Sequence, residues 1–355
     1  MELTTALIVK NELENLKILL PVLDVFADEI VIVDTGSTDS IKNFLSQLTF
    51  KRKIVYKETN WQNDFSVARN ESIKYATKDF IFWLDADDRL NEGEPERILK
   101  LKEKLSENQI YALKLLNEAD KTISYQLRIF PNNGKIKFQY PVHEQLVFES
   151  HVFKIVFEDI TITHTGYNDK KLLRKKQLRN LEILKKIENK DFYSFLQIAE
   201  SYKILRQYND AACFFEKALL SDKKGFNNEL TGFVYVELFK LYSMTNKNDC
   251  FKYLEKAKRF ACYYPVVYYY IGRELFKEKN FEEAVKYFNA FIKKHNEKKY
   301  FNPVSLKIKQ SALFFLAKSY YFTGCGKNAL QIAESLLLAE PDNKSYQYLM
   351  KNLKR

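Results

Sequence analysis

Apolar residues recur along the first hundred positions in two alternating rhythms. Residues 5–9, 30–33, 54–56 and 80–84 form short apolar runs, read as strands buried in a sheet. Between them, Leu13, Leu16, Leu20, Leu23 and Phe26 recur at helical spacing, as do Ile41, Phe44, Leu45 and Leu48. A third helix is expected over about 65–76. This βαβα alternation predicts a mostly parallel sheet with helices on both faces. After about residue 110 the pattern turns β-rich. Residues 111–116, 125–130 and 136–138 read as strands, as does the alternation of Ile160, Ile162 and His164, and Asn132-Asn133-Gly134 reads as a hairpin connection.

Residues 169–190 are strongly basic. Lys170, Lys171, Arg174, Lys175, Lys176 and Arg179 share a predicted helix with Leu178, Leu181, Leu184 and Ile187, whose leucines pack while the basic face is solvated. Beyond about 192 the pattern is helical throughout, and it repeats. Tyr202, Ala211, Phe215 and Ala218 form one set; Leu275, Ala284, Phe288 and Phe291 another, with Gly272 ahead; Tyr320, Ala329, Ala333 and Leu336 a third, with Gly324 in its turn. Tyr242, Cys250, Leu254 and Ala257 form a weaker set. This order of large and small residues is that of a tetratricopeptide helix pair, the small residue letting the second helix approach the first. The expected division is 1–168 for the α/β domain, 169–191 for a basic connecting helix and 192–355 for the repeats.

The chain has 355 residues, 46% of them hydrophobic, enough for two or three ordinary cores. Its net charge of +11 favours anionic partners. Nucleic acid ranks low among these, because zinc-finger spacing and RNA-recognition signatures are absent. The excess lysine reads as spread along the chain. Cys213, Cys250, Cys262 and Cys325 lack metal-ligand spacing and are expected as buried, reduced residues of helices in a cytoplasmic protein. No signal peptide is expected, and no apolar run is long enough to span a bilayer, which leaves at most peripheral contact with the inner face of a membrane.

The candidate chemistry begins where Phe80-Ile81-Phe82-Trp83-Leu84 ends in Asp85-Ala86-Asp87-Asp88. A buried strand delivers such acids to the carboxyl edge of its sheet, where open α/β folds bind ligands. Two carboxylates one residue apart can hold a divalent cation, and the cation can hold a diphosphate. An acidic turn after a strand reads the same way in sequence. The run 31–33 ends similarly, in Asp34-Thr35-Gly36-Ser37-Thr38-Asp39. Gly36 permits a tight turn, Ser37, Thr38 and Asp39 can cap the next helix, and a carboxylate here can accept the imide N–H of a uracil.

Taken in order, Val9-Lys10-Asn11-Glu12, the segment 32–39, Ala68-Arg69-Asn70 and the segment 83–88 resemble glycosyltransferase family 2, whose fold is GT-A. Trp61-Gln62-Asn63-Asp64-Phe65-Ser66, Arg128-Ile129-Phe130-Pro131, Val142-His143-Glu144 and His164-Thr165-Gly166-Tyr167 look like bacterial members fused to tetratricopeptide repeats. The resemblance implies a GT-A α/β domain followed by an all-α solenoid. It places Glu12, Asp34 and Asp39 beside the nucleotide base. It puts Arg69 on the nucleotide, with Asn70 shaping the pocket. Asp85 would touch the ribose or the metal, Asp87 would ligate Mn²⁺ or Mg²⁺, and Asp88 would lie outside the ligand set. A late histidine, here His164, completes the metal site in several GT-A enzymes.

Family 2 enzymes usually invert, and inversion needs a base to deprotonate the acceptor. The candidate is Glu144, with Glu118 and Asp120 as rivals. Arg128 would pair with a phosphate or an acceptor carboxylate, or sit as a charge at a strand edge, and Trp61 would stack on a sugar or pack under its loop. The expected donor is a UDP-sugar, and the expected acceptor a glycan, a lipid-linked glycan or a peptide. The repeats would bind the acceptor, a protein partner or a second copy of the chain. The competing reading is an inactive sugar-nucleotide domain carrying a repeat adaptor. A third, nucleotidyl transfer, would need a Gly-rich phosphate loop near the N-terminus, which is not found.

Overall fold

The computed structural model describes every residue except 50, 119–121, 166–169, 223–226, 246–249, 298, 300, 302, 303 and 355; of 170–173, 304 and 306 it describes the backbone only. Two compact units emerge, Met1–Glu188 and Asn189–Arg355. The charge divides with them. The first unit carries 29 basic and 29 acidic residues, so the whole +11 falls on the second, with 28 against 17. The lysine excess is therefore not spread along the chain.

In the first unit, β1 (Leu3–Val9), α1 (Leu13–Phe26), β2 (Glu29–Asp34), α2 (Ile41–Gln47), β3 (Lys53–Glu58), α3 (Phe65–Lys74) and β4 (Phe80–Asp85) follow one another as the alternation predicts. Next come β5 (Asp88–Leu90), α4 (Glu94–Lys102), β6 (Gln109–Asn117), β7 (Thr122–Pro131), β8 (Lys137–Gln139), β9 (Gln145–Val147), β10 (Lys154–His164) and α5 (Lys170–Lys185). The main sheet runs β3-β2-β1-β4-β7-β6-β10-β5, with β3, β2, β1 and β4 mutually parallel and β7 antiparallel to β4. Two cores cover its faces. Leu16, Leu20, Leu23 and Phe26 of α1 pack with Phe80, Phe82 and Leu84 on one side, while Ile81, Trp83, Phe130 and Phe138 meet on the other. The alternation of Phe82 and Trp83 between cores follows from the strand period.

Asn132-Asn133-Gly134 does not close a hairpin. β8 pairs with β9 in a separate two-stranded sheet. The Asn132 amide donates to the carbonyls of Ala76 and Lys78, both at 3.0 Å, and Gly134 takes φ 75°. These bonds turn the chain out of the sheet. In α5, Leu181 and Leu184 are buried as expected, but Leu178 is exposed.

The second unit is a run of helices: α6 (Phe192–Ile204), α7 (Tyr208–Ser221), α8 (Asn228–Met244), α9 (Phe251–Lys258), α10 (Val266–Lys277), α11 (Phe281–Glu297), α12 (Leu306–Phe322), α13 (Gly326–Ala339) and α14 (Lys344–Leu353). Three turns share one construction. Arg206, Lys279 and Gly324 take positive φ of 62°, 62° and 78°. The N–H of the next residue then donates back to the carbonyl of Tyr202, Leu275 or Tyr320, at 2.9, 2.9 and 2.8 Å. This is the Schellman pattern that ends a helix, repeated at equivalent positions. Ala211, Ala284 and Ala329 follow, each fully buried. A Cβ on Gly272 would meet the Phe288 ring at 2.9 Å, so the close approach is real. The cysteines differ from expectation. Cys213, Cys262 and Cys325 are exposed and only Cys250 is buried. Cys262 and Cys325 fall in connections between helices, where no core forms around them.

Candidate functional site

The parallel registers fix the geometry. Val9 pairs with Asp34 and Ile8 with Asp85, so β1, β2 and β4 end at one sheet edge, with the two aspartates flanking β1. At the β1–β2 end of this edge two loops are tied together. Asn11, at φ 57°, accepts from the Thr38 N–H at 2.7 Å, and its own N–H donates to Ser37 Oγ at 2.8 Å. Asp39 Oδ2 accepts the Leu13 N–H at 3.0 Å, while its Oδ1 is buried with no partner among the described residues. Asp34 is nearly buried and fully engaged. Its Oδ1 accepts the N–H groups of Gly36 and Ser37, and its Oδ2 the Tyr56 hydroxyl at 2.8 Å. Burial and the Asp34 carboxylate both push the Tyr56 hydroxyl pKa up, so the proton stays on tyrosine. Glu12 accepts from the Asn15 amide at 2.6 Å.

At the acid end, the turn 85–88 is closed by the Asp85 N–H donating to Asp88 Oδ2 at 2.9 Å. β5 starts at Asp88 and pairs antiparallel with β10, setting His164 directly opposite Asp88. That cross-strand pairing brings a distant histidine to the acids. His164 Nδ1 lies 3.2 Å from Asp88 Oδ1, and Nε2 lies 3.6 Å from Asp87 Oδ2. Donor atoms of Asp87, Asp88 and His164 all lie within 4.8 Å of one another. The Asp88 hydrogen bond raises the His164 pKa against burial, helped by the charges of Asp87 and Asp85. Burial raises that of Asp87; His164 opposes the rise, and Asp85, Asp88 and Glu12 add to it.

The carboxylates and imidazole fit a divalent cation. Oxygen donors suit Mg²⁺ or Mn²⁺, and the imidazole favours Mn²⁺. Asp88 is spoken for: it is fully buried, and it accepts from Arg128 Nη1 at 2.8 Å as well as from Asp85 and His164. That leaves Asp87 and His164 Nε2 as the open donors, with Asp88 fixing the ring, an arrangement common around metal-binding histidines.

Asp85 lies outside that cluster. It pairs with Arg69 at 2.6 Å and faces Arg128 at 4.0 Å. Burial disfavours its charge, but the two guanidiniums hold its pKa at about 2. Arg69 is itself buried, and its Nε donates to Glu144, so one guanidinium joins Asp85 to Glu144. Both arginines lie over the Trp83 ring, Arg69 at 4.2 Å and Arg128 at 3.8 Å from its centroid. Arg128 is thus neither a charge at a strand edge nor turned outward to an anion. It lies in a central strand, 1% exposed, as the partner of Asp88. An arginine within the apolar run Leu127-Arg128-Ile129-Phe130 was the signal for a buried acid.

The segment carrying Glu144 is pinned to α3. The Asn70 amide clamps both backbone groups of Phe138, at 2.8 and 2.9 Å, and the Phe65 N–H donates to the Pro141 carbonyl at 2.8 Å. Asn70 therefore acts on β8 by way of its backbone. Glu118 lies beside the Asp87, Asp88 and His164 cluster, its N–H donating to the His164 carbonyl at 3.1 Å. Asp120, Gly166 and Tyr167 fall outside the described residues. Trp61 packs edge-on against Phe65 and donates to Asn63. Arg89 belongs to no motif that the sequence displays. It donates to the carbonyls of Ala86 and Asp88 and to the Asn15 side chain, binding the acid turn to α1.

Residues 5–178 match the family model for glycosyl transferase family 2, and they form a domain of that family. The chain is 27% identical over 237 residues to the SPbeta prophage-derived glycosyltransferase SunS of Bacillus subtilis, covering 64% of this chain and 55% of that protein. It is 33% identical over 147 residues to a TPR repeat-containing protein of Synechococcus elongatus, covering 40% of this chain and 35% of the other. The chain thus spans about half the length of the first relative, and less of the second. Among solved structures, S. aureus TarS 1–349 is similar at TM-score 0.42 and 11% identity, over 73% of this chain and 91% of that one. The TPR protein YrrB is similar at TM-score 0.37 and 17% identity, over 51% and 88%. The first unit is GT-A-like, and the second is a tetratricopeptide-like stack.

Proposed function

We propose that the chain moves a sugar from a nucleotide-sugar, by preference a UDP-sugar, to a glycan, lipid-linked or peptide acceptor with inversion at the anomeric carbon. The observation that carries this reading is the shared edge: Asp34, Asp85, Asp87 and His164 meet at the carboxyl ends of the strands. The family of the domain and the glycosyltransferase name of the B. subtilis relative support it.

In this reading the base sits by the tied loops, against Glu12 with Asp39 nearby, and Asp34 holds the loop in shape. Asp85 meets the ribose. Asp87 and His164 would hold Mn²⁺ or Mg²⁺, with Asp88 fixing the His164 ring through Nδ1. A bound cation would neutralise the charge developing on the departing nucleoside diphosphate. Glu144 takes the acceptor proton as the new bond to the anomeric carbon forms and the bond to the diphosphate breaks. Arg69 keeps Glu144 beside the donor phosphates. An α-linked donor would give a β-linked product.

Incubation with labelled nucleotide-sugars and Mn²⁺ tests the proposal. Donor hydrolysis or transfer that disappears in Asp87→Ala is the expected result. No turnover with any donor would return the chain to the adaptor reading.

A further inference from the structure

The repeat unit carries all of the net charge, and one of its edges concentrates it. α10 and α12 run side by side in the same direction. Near their starts the Tyr269 and Ser311 hydroxyls are 2.8 Å apart, and near their ends Phe276 meets Phe322 at 6.3 Å between centroids. The connections α9–α10 and α11–α12 therefore share an edge. Lys258, at the end of α9, reaches over the Tyr287 ring in the middle of α11 at 5.8 Å, which sets the end of α9 against α11.

Lys256, Lys258 and Arg259 are exposed at the first corner, and Lys293, Lys294 and Lys307 at the second. The acids at these corners are Glu255 and Glu297 alone. Among the described residues Tyr263 is exposed at the first corner, at 45%, and Phe301 at the second, at 40%; the opposite edge exposes Phe251, Tyr321 and Phe322, but beside a larger share of acids. Cations at helix C-termini suit the macrodipole and would need no partner. The aromatics do not follow from that. Lysines around exposed aromatic tips are the composition of a surface that meets lipid headgroups. Lys294 pairs with Glu297 at 3.7 Å, which leaves the other five cations of this edge against Glu255, whereas the opposite edge sets Glu274, Glu278 and Glu282 beside its lysines, Lys277 pairing with Glu274 at 2.7 Å.

We propose that this corner edge of the repeat unit docks on an anionic phospholipid surface. The lysines face the headgroups, and Tyr263 and Phe301 enter the interfacial layer. Attachment is electrostatic and peripheral; no described helix is long and apolar enough to cross a membrane. The inference stands apart from sugar transfer.

Co-sedimentation of the full chain with sucrose-loaded vesicles tests it. Binding is expected to vesicles containing phosphatidylglycerol and not to phosphatidylcholine alone, and to fade as salt rises. Lys256→Glu with Lys293→Glu and Lys294→Glu should weaken binding on the order of a hundredfold. Lys277→Glu with Lys327→Glu, at the other edge, should leave it unchanged. Circular dichroism verifies that each variant folds, and Lys293→Gln with Lys294→Gln, expected to weaken binding several-fold, serves if the triple reversal does not. Equal binding to neutral and anionic vesicles overturns the proposal. So does undiminished binding by a folded corner variant, or retention on polyglutamate by a chain that ignores vesicles.

Discussion

His164 Nδ1 lies 3.2 Å from the Asp88 carboxylate, which leaves the other ring nitrogen facing Asp87. Asp88 thus acts through its neighbour. Asp88→Asn should lower Mn²⁺ affinity about 10–100-fold, measured by calorimetry without any donor present. The same change strips the buried Arg128 of its charged partner, so stability should fall by about 3–5 kcal/mol. Unaltered metal affinity would mean that the histidine needs no such support.

The Asp87 carboxylate faces His164 Nε2, while its structural bonds, from the Thr165 N–H and hydroxyl, go to the backbone carbonyl and survive substitution. Asp87→Ala should abolish detectable metal binding and cut turnover at least about 100-fold while leaving thermal stability nearly unchanged. A large loss of melting temperature would show instead that the carboxylate is structural.

Glu144→Gln and Glu118→Gln separate the two described candidates for the base. If Glu144 takes the proton, its variant should lose about 10²–10⁴-fold in kcat with little change in donor KM, and the Glu118 variant should stay near wild type. The reverse pattern would reassign the role to the acid beside His164.

Acid stability should depend on Asp28 and Glu29, remote from the chemistry. Burial disfavours both charges. Lys102 and the Leu3 N–H overcome this for Asp28, and Thr77, Thr4 and Lys53 for Glu29, so both pKa values are lowered on folding. A carboxylate with a depressed folded value stabilises fully above its unfolded value, about 4 for these groups. That stabilisation is lost as pH falls through the folded value. Urea titrations from pH 6 to pH 2 should show stability falling below about pH 4, and Glu29→Gln should flatten that slope.

Gly272→Ala tests the repeat packing. Alanine favours a helix by about 1 kcal/mol, but the new methyl meets the Phe288 ring at 2.9 Å. Overpacking of about 1–3 kcal/mol should win and lower the melting temperature. A stabilised variant would show that Phe288 can step aside.

Much of this architecture is legible in the chain because it is local. The runs 30–33 and 80–84 are apolar enough to demand burial on both faces, and their register follows from parallel pairing. The repeat turns are legible at Gly324 but not at Arg206 or Lys279, since a side chain at positive φ leaves no mark in sequence. Long-range pairing is what the sequence hides. Nothing near Asn132-Asn133-Gly134 announces that β8 will leave β7 for β9. Arg128, set in an apolar run, signals a buried acid, but which acid is legible only once β7 is placed between β4 and β6. Asp85 looks like a ligand equal to Asp87 until Arg69 and Arg128 claim it. The net charge misleads in the same way, because a sum over the chain conceals that one unit is neutral.

The chain's two tryptophans are Trp61 and Trp83, and both belong to the first unit. Trp83 lies under two guanidiniums whose partners are Asp85, Glu144 and Asp88. Its emission is therefore a built-in optical reporter: excited beyond the tyrosine absorption band, where the tyrosine-rich helical half is dark, it should change when a nucleotide disturbs Arg69, without any label.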